Sequence, residues 1–357
     1  LALIPTFLLI GIWGSGDRQA AAWKATIYLG LGSFVLLLGI LGLYAALPEG
    51  ERTFNLVAMQ AAALTGTLDA PDWVFFALFL GFGTLVSLFP FHTWAPQAYA
   101  SAPTPAAMLH AGVLKKFGLY GLIRIVVPIF PEEIQQYLNL LLILIVGNLL
   151  YIGLVTIAQK RLDWLLGYSS VMHMGYIFLG IVAMNDLGLS GAGLLMVAHG
   201  LSIAALFAIC GSLRERTGTL EFSELGGLGK VTPTMGLLFG FAAMASIGLP
   251  GLANFPGELL VFFGAFSADG GIGDGLGWTQ ITTIVAVWGV VISAVYMLRA
   301  YRKVFFGTLS ERWERMVDID FWPKATVIFL VVVMLIIGFR PQLLLNFVTP
   351  AVSILLP

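Results

Sequence analysis

Residues 105–127, PAAMLHAGVLKKFGLYGLIRIVV, decide the fold of this chain. Crossing a hydrocarbon layer of about 30 Å takes roughly 20 apolar residues in a helix, so this run is long enough to span a membrane. A helix is required because lipid offers the backbone no hydrogen-bond partners. Lys115 and Lys116 lie near the middle of the run, with His110 less than two turns before them and no carboxylate in the run. The stretch therefore predicts a transmembrane helix that carries two lysines at membrane depth.

The composition of the whole chain is that of a polytopic membrane protein. Hydrophobic residues make up 59% of 357 positions, charged residues 10%, and the mean hydropathy is +0.95, far outside the range of soluble domains. A net charge of −1 gives no basic surface for nucleic acid. The single cysteine, Cys210, is interpreted as a packing residue, and the glycines at 226–229 lack the strand-to-helix context of a dinucleotide site. We expect no nucleic-acid partner, no metal site and no cofactor in this chain.

Apolar runs of membrane length predict an all-α transmembrane bundle with about ten crossings. Residues 1–13 are too short to span, and they lack the basic n-region and cleavage site of a signal peptide, so they are interpreted as the second half of a helix that begins upstream. The full-length runs lie near residues 25–46, 72–91, 105–127, 137–157, 165–184, 189–212, 232–266, 281–301 and 324–346.

Basic residues divide unequally between the two sides that these crossings define. One side has three, Arg52, Arg124 and Arg340, and the other has thirteen. Because cytoplasmic loops carry an excess of Lys and Arg, we expect the richer side to face the cytoplasm and the loop from Asp269 to Asp274 to face outside. The thirteen are Arg18, Lys24, Lys160, Arg161, Arg214, Arg216, Lys230, Arg299, Arg302, Lys303, Arg312, Arg315 and Lys324.

Prolines interrupt two of the predicted spans, at Pro90 in the first and at Pro250 and Pro256 in the second. A proline removes a backbone donor and clashes with the preceding turn, which predicts helices broken at membrane depth. The second break comes five crossings after the first, so the two helices run in opposite directions, as in inverted-repeat transporters. Ordinary proline kinks are the alternative. The predicted units are 1–130 (remainder of a first repeat), 131–303 (second repeat) and 304–357 (linker and C-terminal transmembrane helix).

Lys115 and Lys116 cannot form a solvated face. A charged lysine at the centre of a membrane helix costs roughly 2.5–3.5 kcal/mol on insertion scales, and burial favours the neutral amine, which makes proton exchange possible. Neighbouring helix positions are about 100° apart. We therefore expect one lysine to face a hydrated channel while the other snorkels or meets a neighbouring subunit.

Four more ionisable residues are candidates for a proton path, and His110, on the same run as the lysines, is one of them. Glu258, which follows the second break, is the sole acid between Glu224 and Asp269; its alternative role is to pair with a lysine of another subunit. His173 and His199 each lie within an apolar span, where a lone histidine is commonly a structural hydrogen-bond donor, but successive buried titratable groups are what a proton relay needs. The histidines lack the i, i+3 or i, i+4 spacing of a helical metal site.

Several motifs together resemble the antiporter-like subunits of complex I, over nearly the whole chain. They are FPFHTWAP (89–96), APTP (102–105), AGVLKKFGLYGLIR (111–124), YSS (168–170), HMG (173–175), HGL (199–201) and GLPG (248–251). The acid in ANFPGE (253–258) resembles the subunit M branch, because sister subunits and Mrp antiporters usually carry lysine there. The resemblance implies fourteen helices in two inverted five-helix repeats, a midplane axis of charged residues through Lys116, and an essential glutamate just before Leu1.

Two departures from the family pattern stand out. The family's lysine in the first broken helix is Leu85 here, and Lys160 and Arg161 precede Asp163, which reverses the usual acid-then-base order. Lys115 is expected to compensate for Leu85. The departures point to a divergent branch whose electron donor need not be NADH.

The resemblance implies a non-catalytic membrane subunit that couples quinone reduction elsewhere in a complex I-like assembly to proton movement. We expect other membrane subunits and lipid as partners, and a bacterial cell membrane rather than a thylakoid-type membrane as the location. One alternative is a subunit of a cation/proton antiporter or membrane-bound hydrogenase, which would carry Na⁺. The other is a structural spacer that has lost transport, motivated by Leu85.

Overall fold

A computed structural model describes residues 3–269 and 275–356 of the chain, and it shows a bundle of α-helices. Within those ranges there is no strand, and a single β-bridge joins Arg161 to Glu221. The helices are α1 (Leu3–Trp13), α2 (Arg18–Ala46), α3 (Leu56–Leu64), α4 (Asp72–Val86), α5 (Trp94–Ser101), α6 (104–129), α7 (Pro131–Gln136), α8 (Leu138–Ala158), α9 (Leu162–Val182), α10 (Asp186–Thr217), α11 (Pro233–Ile247), α12 (Asn254–Ser267), α13 (Trp278–Phe305), α14 (Phe321–Phe339) and α15 (Gln342–Ser353).

The bundle confirms the predicted all-α transmembrane fold. Six helices are long and apolar enough to cross a membrane: α2, α8, α9, α10, α13 and α14. Adding α1, α6 and the broken pairs α4–α5 and α11–α12 gives ten passes among the described residues, as the apolar runs predict. The helices α3, α7 and α15 were not predicted. The last run, 324–346, is wrong at its end, because α14 stops at Phe339 before Pro341, which disfavours helical backbone in the residue preceding it.

Loop contacts bring most of the thirteen basic residues to one end of the bundle, here called the basic end. The Arg214 guanidinium donates to Ser15 Oγ at 2.8 Å and to the Ala100 carbonyl at 2.9 Å. Gly227 N donates to the carbonyl of Phe306 at 2.9 Å, which joins two further basic loops. These contacts match the alternation of sides deduced from the crossings.

The opposite end is held together by its own contacts. The Gln60 amide donates to the Arg124 carbonyl at 2.6 Å, and the Asn185 amide donates to the Gly264 carbonyl at 2.8 Å. Asp269 belongs to this end, where it accepts from Thr279 N at 2.9 Å at the start of α13. Asp274, the far end of the loop predicted to face outside, lies outside the described residues.

Both predicted interruptions are segments of non-helical backbone rather than kinks. The first, residues 87–93, starts where Ser87 ends α4 in the left-handed conformation (φ 64°). The second, residues 248–253, contains Gly248 and Gly251 at φ 83° and 90°, a conformation that glycine adopts without strain. The pair α4–α5 runs towards the basic end and α11–α12 runs away from it, so the two broken helices are antiparallel, as expected. The boundaries of the three units, 1–130, 131–303 and 304–357, stay predictions.

Helix α9 forms the centre of the bundle. In its most apolar window 94% of residues are buried, against 22% for the peripheral α2 and α14. It contacts α5, α8, α10, α12 and α13. Polar side chains on α9 are therefore removed from lipid and can meet polar groups of the helices around it.

Candidate functional site

A serine of α9 joins two of the predicted site residues. Lys115 Nζ on α6 donates to the Ser170 carbonyl at 3.1 Å and lies 3.4 Å from Ser170 Oγ. The same hydroxyl is 3.2 Å from His199 Nε2 on α10. Ser170 and His199 are fully buried and Lys115 is 2% exposed. An amine, a hydroxyl and an imidazole from three helices thus form a continuous polar contact inside the bundle.

His173 extends this contact to the second broken helix. Its ring stacks on that of His199 with centroids 4.9 Å apart. Its two nitrogens lie 2.8 Å from the carbonyl oxygens of Ser169 and Ser246, and Ser246 is in the last turn of α11. Helix α9 supplies both Ser170 and His173 because residues three apart lie on the same helical face.

Glu258 lies directly against the second break. It is 4% exposed on the first turns of α12. A Cβ placed on Gly248 would stand 2.1 Å from Glu258 Oε2, so the carboxylate occupies the space that a side chain would take at this position. Gly248 comes two residues after Ser246, whose carbonyl contacts His173. The break therefore lies between the histidine pair and the carboxylate.

Lys116 occupies a different environment from Lys115. Its Nζ donates to the Ala111 carbonyl of its own helix, and it lines an apolar groove of about 630 Å³ between α6, α10 and α14. Lys115, not Lys116, makes the contact to Ser170, and the expectation that one of the two lysines faces a hydrated channel stays a prediction. A π-helical turn at His110–Leu114 rotates the positions that follow it relative to a regular α-helix, and this rotation could not be deduced from α-helical spacing.

His110 lines a pocket that it shares with Lys115. Its Nε2 is 2.8 Å from Thr6 Oγ1 of α1. The pocket, of about 210 Å³, is lined by His110, Lys115, Tyr99 and Leu85, among others. Leu85 thus faces the pocket that Lys115 also lines, which places the substituted family position next to the extra lysine.

The three predicted helix-breaking prolines differ in placement. Pro90 and Pro250 lie within the non-helical segments. Pro256 does not, because it occupies the first turn of α12, where its missing N–H leaves no helical hydrogen bond unmade.

The reversed charge order at 160–163 is explained by pairing at the basic end. Asp163 is buried and accepts from Arg161 at 2.9 Å and from Arg214 of α10 at 2.8 Å. The acid therefore ties the start of α9 to the end of α10, a structural role at the basic end rather than at membrane depth.

Sequence reasoning missed the hydroxyl and amide groups of the site. Ser170 and Asn254, which lies one turn before Glu258, belong to the motifs YSS and ANFPGE, but neither is among the predicted site residues. The side chain of Asn254 is fully buried, and within the described ranges neither of its amide atoms has a hydrogen-bond partner. A signal was present, since polar residues in an apolar span need partners. No three His, Cys, Asp or Glu residues among those described lie close enough to hold a metal.

The fold and the buried chain of ionisable groups define a membrane protein of the transporter class, with broken helices beside its titratable residues. Residues 1–281 match the family described as NADH:quinone oxidoreductase/Mrp antiporter, transmembrane. The chain belongs to this family, which confirms the resemblance drawn from its motifs.

Relatives with assigned names agree with this placement. The chain is 35% identical to NAD(P)H-quinone oxidoreductase chain 4 of Gloeobacter violaceus, over 98% of this chain and 66% of the relative. It is 33% identical to NADH-quinone oxidoreductase subunit M of Rickettsia felis, over 96% and 67%. The chain spans 54–67% of the length of such relatives.

Solved structures share the fold. A chain of respiratory complex I from Thermus thermophilus is similar with a TM-score of 0.86 and 30% identity, over 100% of this chain and 73% of that one. A chain of the Mrp complex from Dietzia sp. has a TM-score of 0.82 and 22% identity, over 99% and 72%, which shows a common fold alone.

Proposed function

We propose that this chain carries protons across a membrane as a non-catalytic subunit of a complex I-type quinone oxidoreductase. The main observation that supports this proposal is the buried contact between Lys115, Ser170 and His199. His173 stacks on His199 and contacts the second broken helix, on which Glu258 lies. Buried ionisable groups in membrane helices are expensive and are typical of proton or ion pathways. Quinone reduction takes place elsewhere in the assembly, and this chain supplies titratable groups rather than a redox centre.

The broken helix supplies the means of coupling. Non-helical backbone at membrane depth leaves carbonyls and N–H groups that can be re-paired when the segment moves. His173 contacts the Ser246 carbonyl on one side of the break, and Glu258 lies against Gly248 within it. A change of charge on His173 or Glu258 therefore alters the electrostatic force on the same backbone segment, the second break. This arrangement links protonation to a local shift of α11 and α12.

Partners and location follow from the same proposal. The chain is placed in a bacterial cell membrane with its basic end towards the cytoplasm, according to the distribution of Lys and Arg. Cyanobacterial relatives make a thylakoid-type membrane the alternative. Its partners are other membrane subunits of the assembly. The identity of the electron donor is determined by other subunits and not by this chain.

Exchange of Na⁺ for protons is the second candidate function. It is favoured by oxygen donors near the second break, where Glu258 and Asn254 share a helical face one turn apart and Asn254 has no partner among the described residues. A Na⁺ carrier would require sodium for charge movement. A proton carrier would not.

The test is the change Glu258→Gln in the full-length protein, assembled with its partners in proteoliposomes. It should reduce the number of protons moved per electron while the peripheral redox reaction continues, because the amide keeps the shape of the side chain but cannot release a proton. Glu132→Gln, an exposed acid of α7, is the matched control and should pump normally. Repeating the assay without sodium separates the two candidates. Unaltered pumping in Glu258→Gln would remove Glu258 from the path.

A further inference from the structure

The hydroxyl of Ser170 is placed between two ionisable groups that make no hydrogen bond to each other in the described part of the chain. Its Oγ is 3.4 Å from Lys115 Nζ and 3.2 Å from His199 Nε2. All three side chains are buried. Among the described residues, the serine hydroxyl is therefore the group that connects the amine to the imidazole.

The hydroxyl is also free to serve both neighbours. Serine and threonine in helices commonly donate to the carbonyl four residues earlier, as Thr156 does to Ile152 in α8 at 2.7 Å. Among the described residues, Ser170 Oγ instead has only Lys115 and His199 within hydrogen-bond distance. A hydroxyl has one donor and two acceptor positions, so it can accept from the amine and donate to the imidazole at the same time.

We infer that Ser170 is the proton-carrying link between Lys115 and His199, an inference that rests on the proposed function. The Lys115 ammonium gives a proton to Ser170 Oγ while the hydroxyl gives its own proton to Nε2 of neutral His199. Lys115 becomes a neutral amine, His199 becomes a cation, and the serine hydroxyl is regenerated with its hydrogen on the lysine side. Rotation about the Cβ–Oγ bond resets it for the next transfer.

The lysine ammonium is held in place by two further contacts that involve no proton transfer. Its Nζ donates to the Ser170 carbonyl at 3.1 Å and lies 5.6 Å from the centre of the Tyr99 ring. Both contacts survive removal of the hydroxyl, because one is to backbone and the other is to a different residue. Ser170→Ala therefore interrupts the transfer without releasing Lys115 from its position.

The experiment compares Ser170→Ala and Ser170→Thr in the full-length protein within its assembled complex. Protons moved per electron are measured in proteoliposomes, so the amount of complex assembled does not enter the ratio. Ser170→Ala should lower the ratio as far as Lys115→Ala does, and the double variant should show no further loss because both changes interrupt one step. Ser170→Thr, which keeps a hydroxyl, should restore the ratio. Thr156→Ala, which removes a buried hydroxyl bonded to its own helix, is the control and should pump normally.

Each outcome decides the inference. A normal ratio in Ser170→Ala overturns it, and so do additive losses in the double variant. A loss in Ser170→Ala that Ser170→Thr fails to rescue, although the threonine complex assembles, also overturns it, since the loss then arises from packing. If Glu258→Gln lowers the ratio while Ser170→Ala does not, the proposed function stands and only the role of Ser170 fails. If neither change has an effect, proton transport through this chain fails as well.

Discussion

The change Gly248→Ala should displace the Glu258 carboxylate, and comparison with a second glycine variant separates this effect from a general loss of stability. Gly248 has φ 83°, a left-handed conformation that costs a residue with a Cβ about 1–2 kcal/mol. The new Cβ would lie 2.1 Å from Glu258 Oε2, whereas non-bonded heavy atoms settle at about 3.5–4.0 Å. The carboxylate must therefore move by roughly 1.4 Å or more. Proton-transfer contacts span about 2.6–3.2 Å, so a displacement of this size would break a contact through which the carboxylate exchanges a proton.

Gly251→Ala provides a matched control in the same break. Gly251 has φ 90°, so alanine there carries the same backbone strain. The nearest atoms to its Cβ would be ring atoms of Phe339, the first at 3.4 Å, which is ordinary contact. Both variants should lose thermal stability through the shared backbone strain, and Gly248→Ala should lose more because of its clash with Glu258; stability is measured as the unfolding midpoint of the purified complex.

Only Gly248→Ala should lower the number of protons moved per electron in proteoliposomes, and the ratio should fall towards that of Glu258→Gln. The peripheral redox rate serves as the internal reference for intact assembly. Equal ratios in the two glycine variants would show that the contact between Gly248 and the carboxylate has no part in transport.

Three further results are expected. Lys115→Ala should lower the proton-to-electron ratio, and adding Leu85→Lys should recover part of it, because both positions line one pocket; no recovery would mean that the new amine does not replace Lys115. A cysteine at Arg315 should react with a membrane-impermeant reagent from the cytoplasmic face and one at Glu51 from the outer face; reaction of both from one face would contradict the topology. Asp318→Ala should destabilise the protein by about 1 kcal/mol, seen as a lower unfolding midpoint. Burial tends to raise the pKa of the Asp318 carboxyl, but N–H groups at the start of α11 and at the next residue outweigh it and hold the pKa below its usual range. Because the folded pKa is depressed, this stabilisation is present above the unfolded value of about 3.9 and is lost as the pH falls through the folded value; a pH-independent difference between the variants would refute the assignment.

The sequence by itself determined the class of the fold. Lipid leaves the backbone no partner but itself, so each apolar run of sufficient length has to be a helix, and ten passes follow from counting such runs. The breaks at Pro90 and Pro250 were predictable because proline interrupts a helix wherever it lies. Their opposite directions followed from the number of crossings between them. The ionisable residues at membrane depth could also be identified, since each one lies within an apolar run.

Only the tertiary structure decided how those residues meet. Lys115 rather than Lys116 contacts Ser170 because a π-helical turn precedes the pair and rotates the helix face, and the hydrogen-bonding pattern of that turn is not encoded by hydrophobic period. The stacking of His173 on His199 depends on the packing of α9 against α10, which brings together residues 26 positions apart. The proximity of Glu258 to Gly248 depends on how the chain folds back across the break. Hydropathy indicates which segments are buried in the membrane, but the side-chain contacts between helices are determined by the packing of the whole bundle.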